Sequence, residues 1–166
     1  HNAADPAANL VDVWVNGNVF LEDFEFRTAT PWVDAPAGQE LNIAITPANS
    51  TSIVADFDVI LEGGSKYVIV ANGEIVLEGN GPQGFNLFIY DQGREMAMTP
   101  DMTDVNIFHG SNDAPAVDLV EVQQGFGPLV DDLEYGVFTG YAGLPTNDYS
   151  LQVRNAAGTD VVAQYS

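Results

Sequence analysis

Apolar residues in this chain recur at every second position, a period that admits β-strands and excludes amphipathic helices. In LVDVWVNG (residues 10–17), Val11, Val13 and Val15 fall on one face and Asp12, Trp14 and Asn16 on the other. ELNIAITP (40–47) repeats the alternation through Leu41, Ile43 and Ile45. KYVIVANG (66–73) and FNLFIYDQG (85–93) are more continuously apolar, as expected of central strands buried on both faces. Turn signals punctuate these runs: Asn16-Gly17, Pro36-Ala37-Gly38, Gly63-Gly64, Asn72-Gly73, the stretch at 79–82, and Gly158. Short strands with frequent turns predict an all-β chain of sandwich type.

Charge narrows the functional classes. The chain has 24 acidic residues against four basic ones, Arg27, Lys66, Arg94 and Arg154, for a net charge of −20. Such a surface repels phosphate backbones and anionic membrane surfaces, so no nucleic acid and no membrane partner is expected. No run approaches the roughly 18–20 apolar residues that cross a bilayer as a helix. Hydrophobic residues make up 46% of the sequence, and the mean hydropathy is +0.01, which marks a globular rather than a disordered chain. The acids are spread along the sequence, as in a solvating coat suited to a salty or extracellular setting. There is no cysteine, which removes disulfides, thiol nucleophiles and Cys-ligated metal sites together.

The chain also repeats itself. A shift of about 108 residues sets His1 on His109 and Asp5 on Asp113. The same shift sets Ala48, Thr51, Val54 and Ala55 on Ala156, Thr159, Val162 and Ala163. With one residue of drift, Asp23, Glu25, Thr30 and Pro36 meet Asp132, Glu134, Thr139 and Pro145, and Trp32 meets Tyr141. We expect a first repeat over residues 1–100, a junction at 101–103 and a second repeat over 104–166. In this register the first repeat lacks its first strand and the second its last strands. Three readings account for the missing strands: they are trimmed from a longer chain, they are disordered, or a neighbouring subunit supplies them by strand addition.

The segments VNIFHGSNDAPAVDLVEV (105–122) and LEYGVFTGYAGLPTNDYSLQVRNAAGT (133–159) resemble a bacterial and archaeal family catalogued as domain of unknown function 4397. The carrying residues are His109, Asp113-Ala114-Pro115 and Val117-Asp118, then Tyr135-Gly136, Tyr141, Leu144-Pro145 and Tyr149, then Ala157-Gly158. The first copy matches more loosely: Asp5-Pro6 lacks the intervening alanine, and RTATPWVDAPAGQEL replaces the Tyr-Gly-to-Tyr segment. The resemblance implies tandem, secreted or surface-anchored domains of Ig-like or transthyretin-like sandwich fold. It implies no chemistry.

The candidate sites are few. His109 and Ser111 lie in FHGSNDAPAVDL (108–119) without a nucleophile elbow, and we read the stretch as a turn capped by Asp113, with His109 packed at the strand end. Zinc is not expected from two histidines, one in each repeat. The calcium candidates are Asp101, Asp104, Asp113 and Asp118, although no EF-hand loop is present and a solvated, charged junction is the preferred reading. Glu22, Asp23, Glu25, Asp131, Asp132 and Glu134 read as an exposed acidic face rather than a hydrolytic pair. Trp14 and Trp32 are the candidates for sugar stacking, although the match of Trp32 to Tyr141 favours packing. Asn49-Ser50-Thr51 is a glycosylation sequon. Interface candidates are Val13, Trp14 and Val15 beside one expected open edge, and Val161, Val162 and Tyr165 beside another. The expected function is that of a non-enzymatic, extracellular structural or adhesive module without a cofactor. It would be joined to copies of itself or to neighbouring domains, as in a filament built by strand complementation. The alternative is a carbohydrate- or calcium-binding surface module.

Overall fold

Asn16 and Gly17 both adopt positive φ (50° and 75°), the turn that matches the twist of a two-residue hairpin. They fold β2 (Asn18–Glu25) back on β1 (Leu10–Val15). The Asn16 side chain adds a tie, its Oδ1 accepting from the Asn42 N–H at 2.9 Å. That tie reaches β3 (Glu40–Pro47), which pairs with the other side of β1 and is followed by β4 (Ala55–Ile60). The resulting antiparallel sheet has the order β2-β1-β3-β4. Strand β1 therefore lies inside the sheet, and the open edge expected beside Val13, Trp14 and Val15 does not exist. The Asn-Gly turn lays β2 along one side of β1, and the distant strand Glu40–Pro47 takes the other.

This is a computed structural model, and it describes residues 9–74 and 84–166. His1, Asp5 and Pro6 of the repeat motif, and the turn at 79–82, lie outside the described residues. Among those described, the chain has twelve strands and no helix, an all-β architecture of antiparallel sheets consistent with β-sandwich domains.

The core of the first unit centres on Val11 and Ile45, each only 2% exposed, with Val13, Phe24, Ile43, Val54, Ala55 and Phe85 packed around them. β5 (Val68–Asn72) and β6 (Asn86–Tyr90) form their own two-stranded sheet. The continuous apolar runs at 66–73 and 85–93 are thus not central strands. Among the described residues each strand pairs only with the other, and most of their side chains are half-buried, with Ile89 exposed. Phe85, just ahead of β6, reaches the four-stranded sheet and meets Phe57 of β4 with ring centroids 6.1 Å apart.

The chain divides into two compact units between Gly93 and Arg94, whereas the repeat register sets the junction at 101–103. Arg94 is held within the second unit: its Nη1 lies 2.7 Å from Asp104 Oδ2 and its guanidinium carbon 4.8 Å from the centre of the Tyr141 ring. The second unit contains β7 (Met102–Phe108), β8 (Val117–Glu121), β9 (Gly127–Leu133), β10 (Phe138–Pro145), β11 (Leu151–Asn155) and β12 (Val161–Tyr165). β7 pairs with β10, and the other four form a sheet of order β9-β8-β11-β12. Taken in chain order, that sheet has the same strand sequence as the first unit's β2-β1-β3-β4. Registers agree as well: Ile43 faces Phe57 and Ile45 faces Ala55 in one, while Leu151 faces Tyr165 and Val153 faces Ala163 in the other.

One polar device occurs in both sheets. The β1–β2 and β8–β9 ladders are irregular, and Asp23 and Asp132 each take a φ of 51°. A residue in that conformation turns its N–H out of the ladder, where it needs another acceptor. Asp12 Oδ1 accepts from the Asp23 N–H, and Asp118 Oδ1 from the Asp132 N–H, at 2.9 Å in each. Both accepting carboxylates are buried.

Candidate interaction face and acidic cluster

β12 is an edge strand whose apolar side chains face solvent: Val161 is 51% exposed, Val162 62% and Tyr165 65%. Nearby, a groove of about 520 Å³ is lined from both sheets of the second unit, by Val105 and Ile107 of β7, Leu129 and Leu133 of β9, Phe138 and Leu144 of β10, and Leu151 of β11. Leu151 is also the register partner of Tyr165, although no residue of β12 lines the groove itself. An apolar surface of this kind gains free energy when it is covered, in proportion to the area removed from water.

The other interface candidates are placed differently. Val13 packs on the Val11–Ile45 core, and Val15 is half-buried in β1. Trp14 is half-buried, and its indole Nε1–H donates to Thr46 Oγ1 at 3.0 Å. That ring is anchored to its own sheet rather than presented as a sugar platform. Trp32 is 47% exposed, with Lys66 Nζ 5.9 Å from the centre of its ring. Asn49 is exposed in the β3–β4 loop with φ 60°, and its backbone N–H donates to Asp12 Oδ2 at 3.3 Å.

Three acidic side chains converge at β8–β9. Oxygens of Asp118, Asp131 and Asp132 all lie within 4.8 Å of one another, with Asp118 buried and the other two exposed. The four calcium candidates named from sequence do not meet. Asp104 is taken up by Arg94 and by the Met98 N–H at 3.2 Å. Asp101 sits in a turn at φ 62°, and Asp113 is exposed. Only Asp118 enters the cluster, and its companions Asp131 and Asp132 were assigned from sequence to the solvated acidic face. A bulge sets them beside Asp118, and strict alternation gives no hint of it.

The charges of Asp118 and Asp132 hold the Asp131 carboxyl above the usual aspartate value of 3.8, with partial desolvation adding to the rise. A folded-state value above the unfolded one means that ionised Asp131 costs stability at neutral pH and that the cost vanishes below about pH 3.8. We therefore expect Asp131→Asn to raise the melting temperature at pH 7 by a few degrees. The gain should shrink at high salt and disappear at pH 3, as scanning calorimetry can follow.

His109 does not serve this cluster. It is buried, its Nδ1 accepts from the Ser111 N–H at 3.3 Å, and its Nε2 lies 3.0 Å from the Pro115 carbonyl oxygen. That pairing assigns the ring proton to Nε2, which donates to Pro115. The expected turn is present, but the histidine ring braces it from within. A second buried group, Glu121, has no counterpart among the sequence candidates. It ends β8 only 1% exposed, and its two oxygens accept the backbone N–H groups of Gln123, Gln124 and Phe126 at 2.7–3.2 Å. Burial pushes this carboxyl up, but the N–H donors of Gln124, Gln123, Phe126 and Ser150 outweigh it and hold the group below its usual value.

A family model described as a domain of unknown function, DUF4397, matches residues 2–120. The chain belongs to this family. The match runs through the whole four-stranded sheet of the first unit, through β5 to β7, and into β8 of the second. No curated protein and no solved structure matches the chain.

Proposed function

We propose that this chain is a non-enzymatic structural module, secreted or displayed at a cell surface, built from two copies of the DUF4397 domain. It works by associating with further modules through its sheets, as in a fibre or an adhesive array. The observation that carries this reading is the exposure of the apolar side chains Val161, Val162 and Tyr165 on edge strand β12. The two-copy reading is supported by the shared strand order and by the paired Asp12–Asp23 and Asp118–Asp132 ties.

The charge of −20 opposes self-association at low salt. At about 0.15 M salt the screening length falls to about 8 Å, and burial of the apolar face then dominates. Negative-stain microscopy of the purified chain should accordingly show isolated particles at low salt and linear assemblies at high salt and high concentration. Isolated particles at every salt and protein concentration would sink the proposal.

A second reading, a calcium-binding module, is favoured by the convergence of Asp118, Asp131 and Asp132. Millimolar calcium should then raise the melting temperature of the natural chain, chelator should reverse the rise, and Asp131→Asn should abolish it. No calcium-dependent shift would exclude this reading.

A further inference from the structure

The chain's three methionines, Met96, Met98 and Met102, fall within seven consecutive residues, between β6 and the start of β7 and inside the second unit. They are also its only sulfur atoms, since it has no cysteine. The buried apolar residues among those described are Val, Leu, Ile and Ala, so methionine is not used here as a filler of core gaps. Met96 is 83% exposed and Met98 75%, more than any other large apolar side chain among the described residues.

Asp104 gathers this segment. Its Oδ2 takes Arg94 Nη1 at 2.7 Å and the Met98 N–H at 3.2 Å, which closes residues 94–98 into a loop with Met96 at its middle. A turn follows, in which the Met102 N–H donates to the Thr99 carbonyl at 3.3 Å. Gly143 of β10, the register partner of Asp104, leaves space for both Asp104 and Met102. A Cβ at that position would stand 3.5 Å from the Met102 terminal methyl and 3.4 Å from Asp104 Oδ1. Met96 and Met102 then line one cavity of about 270 Å³, together with Arg94, Asp104 and Tyr141.

Thioether sulfur is a soft, neutral donor. It selects copper(I) over calcium or magnesium, which take oxygen ligands. Arg94 is the one base lining the cavity, and its charge is met by Asp104, while the net charge of −20 draws cations toward the chain. We infer that Met96, Met98 and Met102 form a thioether site for a soft monovalent cation, copper(I). Met98, its backbone fixed on Asp104, turns its exposed and freely rotating side chain to the ion as the third sulfur. The site is separate from the carboxylates of Asp118, Asp131 and Asp132, and it requires no assembly of modules.

The test uses the full chain with isotope-labelled methionine methyl groups, followed by nuclear magnetic resonance. Silver(I) nitrate in chloride-free buffer is the redox-stable probe, and copper(I) kept reduced by ascorbate under nitrogen is the second. Each should shift all three methyl signals and saturate at one ion per chain. Zinc(II) and calcium(II) at the same concentration should leave the three signals in place. Met96→Leu and Met98→Leu conserve volume at exposed positions, so the melting temperature should not change. Each should weaken silver binding roughly tenfold or more by calorimetry, and the double variant should lose the one-to-one site.

Methyl signals that ignore silver(I) or copper(I), a shift confined to one methionine, an equal response to zinc(II), or undiminished affinity in the double variant would each overturn the inference.

Discussion

Ile45→Ala should lower the stability of the first unit by about 2–5 kcal/mol, among the largest effects open to a single substitution in this chain. Ile45 is 2% exposed at the centre of a core closed from one side by β1 and from the other by Phe85, so the lost methyl groups leave a cavity that cannot readily collapse. The register-matched change in the second unit, Val153→Ala, should cost under about 1 kcal/mol, because a half-buried side chain already keeps part of its surface in water. Both tryptophans, Trp14 and Trp32, lie in the first unit, so their fluorescence during denaturant unfolding reports that unit alone. Far-ultraviolet circular dichroism follows the two units together. Equal losses for the two substitutions would mean that the β11–β12 face is as well covered as its counterpart.

The second large effect concerns acid. The folded-state value of Glu121 lies below its usual 4.5, so its ionised form stabilises the fold above about pH 4.5, and that contribution is lost as the pH falls through the lowered value. Stability should therefore fall on acidification below pH 4.5. Glu121→Gln should lower the melting temperature by several degrees at pH 7 and flatten the acid limb of the stability profile. An amide offers a single acceptor oxygen and sets an NH₂ group against backbone N–H groups that need acceptors. Hydrogen exchange gives a local check: the Gln123, Gln124 and Phe126 amides should exchange much faster in the variant while those of β3 are unchanged. A profile that keeps its acid limb would assign the acid sensitivity to another carboxylate.

The all-β class was legible because alternation and turn residues agree along the chain. Val11, Val13 and Val15, then Asn16-Gly17, specify a strand and its hairpin without tertiary help. The apolar runs at 66–73 and 85–93 misled for a definite reason. Continuous hydrophobicity marks burial on both faces, and it does not tell a central strand from a hairpin whose apolar residues lie against another sheet. The edge at β1 was misplaced because pairing on its second side comes from β3, some thirty residues later in the chain. The polar core was the least legible part. Asp12 and Asp118 look like solvent-facing residues of alternating strands and Glu121 like an interruption of an apolar face, but bulges and a loop bring backbone N–H groups onto all three. The same bulge assembles Asp118, Asp131 and Asp132, which alternation alone would have kept apart.

We propose that the β11–β12 face is open in the lone chain and covered when modules associate. Hydrogen exchange across a dilution series at fixed high salt tests it most directly. Amides of Val161–Tyr165 should exchange rapidly in dilute protein and become protected as concentration rises, while those of Ala55–Ile60 keep one level of protection throughout. Exchange in Val161–Tyr165 that is slow at every dilution, or that never responds to concentration, would show that this face is not an association surface.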